Sequence, residues 1–145
     1  MNNTTVFSCK IGTTDAAAAI GVEIWLDQEQ IFNVDHVKET IEFTHKFDED
    51  GLPHRLRFIM KNKTEDLTIV DDTGFIVADA RLIINNIEFD EIEIDQLFCD
   101  RAIYTHNFNG TQPEIKDRFF GEIGCNGIIS LDFTTPVYIW LLENS

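Results

Sequence analysis

The sequence predicts an all-β fold, an antiparallel β-sandwich of the jelly-roll type with about ten strands and little helix. Three observations predict it. Apolar residues recur with a period of two through most of the chain, turn-forming clusters interrupt them at short intervals, and no stretch shows a convincing amphipathic helical stripe. With 145 residues, 43% hydrophobic and twelve phenylalanines, the chain is expected to fold as a single domain over residues 1–145 with a full core and no metal or disulfide support. It shows no internal repeat, linker or low-complexity segment.

Thr4 to Ile11 reads as a first strand ended by Gly12-Thr13-Thr14-Asp15. Residues 15–20 are long enough for one helical turn capped by Asp15, but too few for a stable helix. From Gly21, Val22, Ile24 and Leu26 share one face and Glu23, Trp25 and Asp27 the other. A turn at Asp27-Gln28-Glu29-Gln30 leads into Ile31-Phe32.

The stretch Lys38 to Lys63 has the strongest patterning. Ile41, Phe43, His45 and Phe47 share one parity, as do His54, Leu56, Phe58 and Met60, while Arg55 and Arg57 take the opposite one. Asp48-Glu49-Asp50-Gly51-Leu52-Pro53 between them is turn chemistry, so a β-hairpin is expected here. Lys63-Thr64-Glu65-Asp66 reads as a loop, Leu67 to Val70 as a short strand, and Asp71-Asp72-Thr73-Gly74 as an acidic turn. Residues 75–98 read as strand with a parity change at Asp90-Glu91. A bulge fits the Asp-Glu chemistry better; a two-residue turn would set Phe89 opposite Ile92. Asn109-Gly110 and Asn126-Gly127 each signal a hairpin, the second with arms Arg118 to Gly124 and Ile128 to Phe133. Pro136 opens a last strand, Val137 to Leu142, apolar on both parities and suited to burial on both faces or to a contact between subunits.

Net charge is −15, from 26 acidic and 11 basic residues. Such a field repels phosphate backbones and anionic lipid surfaces, so no nucleic acid and no membrane is expected as partner. The start MNNTTVFSCK shows no signal-peptide pattern, and Ala16 to Ile20 is too short to span a bilayer, which predicts a soluble protein made in the cytoplasm. The sequons at Asn2, Asn62 and Asn109 carry little weight in that setting. Cys9, Cys99 and Cys125 are odd in number and widely spaced, as buried apolar residues would be.

Four constellations could carry chemistry. Glu91, Glu93 and Asp95 would project from one face of a strand, crowded enough to raise a carboxyl pKa, and their order resembles the Glu-x-Asp-x-Glu strand of jelly-roll β-glucanases with the middle and last residues exchanged. A solvated strand face accounts for the same letters. Asp48 and Asp50 in one loop, and Asp71 and Asp72 in another, offer oxygen ligands for Ca2+, although neither loop has EF-hand spacing and ordinary solvated turns account for the same residues in so acidic a chain. His36, His45, His54 and His106 lack a nominated third zinc ligand, and the parity of His54 favours a hydrogen-bonded core histidine. Trp25, flanked by Glu23 and Asp27, has the make-up of a sugar platform, with an aromatic face for C–H groups and carboxylates for hydroxyls; a place in the inter-sheet core or in a subunit contact accounts for it as well.

Two stretches carry a family resemblance. Gly51 to Leu56, Asn62-Lys63-Thr64, Gly74, Asp79 and the Ile83 to Ile94 run are similar to calcium-dependent xylan-binding carbohydrate modules. The ending Phe133 to Asn144 resembles that of uncharacterised proteins encoded by tailed phages of marine bacteria. The resemblance implies a jelly-roll fold and a non-enzymatic structural or accessory role, with a glycan or another virion protein as partner. It also implies that Asp48, Asp50, Asp71 and Asp72 serve as calcium ligands. The alternatives are a glycoside hydrolase using Glu91, Glu93 and Asp95, and a purely architectural homo-oligomer assembled through Val137 to Leu142.

Overall fold

The computed structural model describes residues 3–64 and 68–144, so Asn2 of the first sequon, Glu65-Asp66 of the loop and Leu67 lie outside the described residues. The strands are β1 (Thr4–Thr13), β2 (Gly21–Leu26), β3 (Glu29–Val34), β4 (Ile41–Asp48), β5 (Pro53–Lys61), β6 (Thr68–Val70) and β7 (Ile76–Asp79). They continue as β8 (Leu82–Phe89), β9 (Ile92–Glu93), β10 (Ile103–His106), β11 (Ile115–Arg118), β12 (Glu122–Ile123) and β13 (Gly127–Thr134). Two short helices, α1 (Asp95–Arg101) and α2 (Val137–Asn144), complete the elements.

Two sheets form the sandwich. One has five strands, β12-β8-β1-β4 with β9 also on β8; the other has six, in the order β11-β10-β13-β5-β2-β3. Every pairing is antiparallel. The inward residues of alternating strands meet between the sheets in one contiguous buried cluster that includes Phe7, Ile24, Phe58, Phe89, Leu131 and Phe133. Phe7 joins the layers directly, with ring centroids 6.1 Å from Phe58 and 5.8 Å from Phe89. Cys9, Cys99 and Cys125 are free thiols, and only Cys9 is fully buried. Among the described residues, no helix is long and apolar enough to cross a membrane.

The expected hairpin around Asp48 to Pro53 does not form. Both strands exist, but β4 pairs with β1 and β5 lies between β13 and β2 in the other sheet. Alternation identifies the inward face of each strand; it leaves the pairing partner open. The intervening loop crosses about 10 Å between the layers and is anchored by Gly51 N–H donating to Thr135 Oγ1 at 2.9 Å. Phe47 and His54 therefore face each other across the core, 6.3 Å apart, instead of lying side by side.

The second Asn-Gly pair likewise spans the two sheets, since β12 pairs with β8 while β13 pairs with β10 and β5. Asn126 instead brackets the backbone of Lys63, accepting from its N–H at 3.0 Å and donating to its carbonyl at 2.9 Å. A Cβ on Gly127 would come within 2.5 Å of the Thr105 carbonyl, so glycine is needed for close approach of strands. Asn109-Gly110 does lie in a hairpin loop, between β10 and β11.

At Asp90-Glu91 the structure has the two-residue turn. Both residues take left-handed φ, 51° and 69°, which matches the twist a tight hairpin needs. Phe89 opposes Ile92 as that register requires. Residues 15–20 form a turn, with Asp15 Oδ1 accepting from Ala17 N–H at 3.0 Å, and no helix follows.

The last segment is helix α2, not a strand. Its apolar letters fit either period; Val137, Trp140 and Leu141 at helical spacing face the core, while Tyr138, Ile139 and Leu142 are exposed. Pro136 immediately before it is a residue tolerated at a helix start. The segment's assembly role as a doubly buried strand falls with the strand itself. Helix α1 was equally hidden inside the strand-like run: Phe98 is its buried residue, packed edge-on against Phe58 and Phe119.

Candidate functional site: the outer face of the six-stranded sheet

Strand register places the outward residues of this sheet in rows. Trp25 pairs with Arg57, Arg57 with Ser130, Ser130 with Ile103, and Ile103 with Arg118. A neighbouring row runs through Glu23, Ile59, Ile128, Thr105 and Lys116. Adjacent strands lie about 4.8 Å apart, so the first row crosses five strands and about 19 Å of surface.

Trp25 lies at one end, half-buried between Glu23 and Arg57. Its Nε1–H donates to Glu23 Oε1 at 2.9 Å, and the Arg57 guanidinium sits over the ring at 5.5 Å from its centroid. Glu23 also pairs with Lys61 Nζ at 3.2 Å. The indole hydrogen bond first, and Lys61 second, hold the Glu23 carboxyl below its ordinary range against the opposing effect of burial. The indole is thus fixed in orientation, and one of its faces already carries a cation.

Asp27 points elsewhere. Its Oδ1 accepts from Arg55 N–H at 2.8 Å and its Oδ2 accepts from His54 Nδ1 at 2.6 Å. His54 Nε2 donates to Asp50 Oδ1 at 2.8 Å. Ionised carboxylates only accept, so the two contacts together favour the doubly protonated ring, the imidazolium. Burial opposes that charge, but the two carboxylates outweigh it and raise the histidine's pKa above its ordinary value. The ring also stacks on Phe133 at 5.6 Å. Parity correctly marked His54 as a hydrogen-bonded residue at the core edge. Beside it, a cavity of about 490 Å³ is lined by Asp27, Gln28, His54, Arg55, Arg57 and Asp132, and Arg55 grips Asp132 with Nε and Nη2 at 2.7 and 3.3 Å.

The raised pKa has a definite sign in stability. Protonation of His54 favours the fold fully below the unfolded value of about 6.5, and that stabilisation is lost as pH rises through the higher folded value. Thermal melts between about pH 5 and 9 should show His54→Gln furthest below wild type at the acid end, with the gap closing towards alkaline pH. A gap that is constant or widens with pH would contradict the imidazolium.

The four loop aspartates do not make one calcium site. Asp48 and Asp50 lie where β4 gives way to β5, whereas Asp71 and Asp72 lie in the turn between β6 and β7. Calcium ligands must sit about 2.4 Å from the ion. Asp50 is already committed to His54, to Leu52 N–H and to Thr135 Oγ1–H, and Asp71 to Thr73 and Phe75. Among the described residues, no group of three or more His, Cys, Asp or Glu side chains is arranged to hold a metal ion.

Glu91, Glu93 and Asp95 are likewise not one strand face. Glu91 belongs to the turn, Glu93 to the two-residue β9, and Asp95 opens α1. The Asp95 carboxylate accepts from Asn86 and Ile87 N–H at 3.0 and 2.7 Å, a structural role that anchors the helix on β8.

No protein-family model matches the sequence, and no curated protein matches it either. Among solved structures, the selenomethionine form of the calcium-dependent carbohydrate-binding module vCBM60 superposes with a TM-score of 0.53 at 10% identity, over 88% of this chain and 89% of that one. The fold is an antiparallel β-sandwich like that of this module. The complex of vCBM60 with galactobiose gives a TM-score of 0.50 at 12% identity, over 87% of this chain and 96% of the module. At these identities the likeness is one of fold.

Sequence reading had singled out Trp25, Glu23 and Asp27 together. The structure keeps Trp25 and Glu23 in direct contact and turns Asp27 towards the histidine. Arg55, Arg57, Ser130, Thr105, Lys116 and Asp132 were not foreseen as part of a site. The outward parity of Arg55 and Arg57 was visible, but the order of strands that brings β13, β10 and β11 beside them was not.

Proposed function

We propose that this protein is a non-catalytic glycan-binding module that uses the outer face of the six-stranded sheet, with Trp25 as its stacking residue and Glu23 holding the ring. Asp27 contributes indirectly, by fixing His54 and Arg55 at the edge of the adjoining cavity. The observation that carries the reading is the registered row from Trp25 across β5 and β13, an oriented aromatic followed by polar side chains, on a carbohydrate-binding-module fold. Stacking supplies apolar contact while fixed polar groups select hydroxyl geometry. The dispersal of Glu91, Glu93 and Asp95 supports binding without hydrolysis.

A second reading, assembly with copies of itself or with other virion subunits, is supported by a different feature. Helix α2 exposes Tyr138, Ile139 and Leu142, and a groove of about 420 Å³ lined by Ile92, Ile94, Leu97, Tyr138, Leu141 and Leu142 runs along it.

Affinity electrophoresis of wild type and Trp25→Ala through a polysaccharide panel, with calcium and with chelator, tests the choice. Retention by at least one glycan, weakened about tenfold or more by Trp25→Ala, is the expected result, and the chelator arm reads whether calcium takes part; one lost stacking contact is worth about 1–2 kcal/mol. Retention by none, together with sedimentation as an oligomer, would favour assembly through α2.

A further inference from the structure

We infer that the sheet face selects an anionic glycan, one bearing carboxylate or sulfate groups. This deepens the glycan-binding reading and rests on it. Beyond Arg57, the outer face opens into a second cavity of about 320 Å³ whose lining includes Arg55, Arg101, Lys116, Thr105, Ser130 and Asp132. Three cations and one carboxylate converge there, in a chain of net charge −15. Arg55 and Asp132 also line the first cavity, so the surface is continuous from Arg57 to Lys116.

Of this cavity's three cations, ion pairing within the chain occupies Arg55. Of the eleven basic side chains, Lys10, Arg55, Lys61, Lys63, Arg81 and Arg118 form ion pairs with Asp or Glu. Among the described residues, Lys38, Lys46, Arg57, Arg101 and Lys116 have no such partner, and two of these, Arg101 and Lys116, line this cavity. Arg101 comes from the last turn of α1 and Lys116 from β11, so two separate elements bring their charges to one cavity. Arginine presents a planar fork that fits a carboxylate or sulfate, and lysine adds a point charge. Thr105 and Ser130, outward on β10 and β13, offer hydroxyls within the same lining.

The overall negative field sharpens the choice of ligand. A nucleic acid carries a charge about every 1.7 Å along its axis, which would set phosphates against Glu23, Asp35 and Asp132 as well as against the cations. A glycan with at most one charge per sugar can place its anion on Arg101 and Lys116 and cross the acidic surface with neutral hydroxyls. At physiological ionic strength the Debye length is about 8 Å, so the local cations outweigh the more distant acids.

Isothermal titration with oligogalacturonate, its carboxyl-reduced neutral counterpart, a sulfated galactan oligosaccharide and a single-stranded DNA oligonucleotide tests this. Wild type should bind at least one of the two acidic oligosaccharides roughly tenfold more tightly than the neutral one, from two exposed charge contacts. The variant Arg101→Gln, outside the registered rows, should lose most of that preference while keeping its neutral affinity, and its unchanged thermal melt should report that it folds. Preference for the carboxylate or for the sulfate ligand names the group recognised. Equal affinity for charged and neutral forms, or a preference unchanged in the variant, would overturn the inference and leave glycan binding standing. DNA binding as tight as that of the acidic sugars would overturn it too. Binding to no oligosaccharide would overturn both readings.

Discussion

Replacing Lys63 with alanine should destabilise the protein by about 3–5 kcal/mol, the cost of breaking a buried ion pair from one side. The Lys63 side chain has no exposed surface, and its Nζ donates to Asp79 Oδ1 and to the Gly124 carbonyl. Its backbone is held by both ends of the Asn126 amide. One residue thus ties the end of β5 to the end of β7 and to the crossing between β12 and β13. Alanine leaves the Gly124 carbonyl without its donor and the Asp79 carboxylate without this cation, although Arg81 Nε remains 3.7 Å from it. Thermal denaturation should show a loss of about 10 °C or more, and Lys63→Met should recover part of it by restoring the packed stem. A loss under about 1 kcal/mol, the level of a surface pair, would show that the lysine is not a pin.

Phe58→Ala should cost a similar amount, about 3–5 kcal/mol, through a cavity the surroundings cannot fill. Phe58 is fully buried, and its ring lies 6.1 Å from Phe7 in the facing sheet and 5.8 Å from Phe98 on α1. The contacts with Phe7 and Phe98 therefore connect both layers and the helix through a single side chain. Urea titration should give a lower midpoint with little change in slope, and Phe58→Leu should retain most of the stability. A change of under about 1 kcal/mol in Phe58→Ala, far below the range for such truncations, would contradict this account of the core.

How far the letters could be read follows from what periodicity reports. Alternation gives the face of a residue, so Val22, Ile24 and Leu26 share one face with Trp25 on the other, and Leu56, Phe58 and Met60 share one face with Arg57 on the other, as found. It does not report the partner strand. Asp48 to Pro53 and Asn126-Gly127 both looked like hairpin turns yet join different sheets, because turn chemistry also suits a chain that crosses a sandwich. The short helices escaped notice because Ile94, Leu97 and Phe98, and Val137, Trp140 and Leu141, sit in runs apolar enough to satisfy both periods. The candidate site shows the same limit. Trp25 with Glu23 is a contact within one strand and was legible; Arg57, Ser130 and Lys116 join it only through strand order, which a single sequence does not encode in any local pattern.

The most direct test of the central claim is a heteronuclear NMR titration with the glycan that binds best. The account predicts the largest amide shifts and line broadening on β2, β5 and β13 around Trp25, Arg57 and Ser130, with the Trp25 indole N–H resonance among the most affected. Perturbations confined to the Asp48 to Gly51 or Asp71 to Gly74 loops, with the sheet face silent, would contradict it.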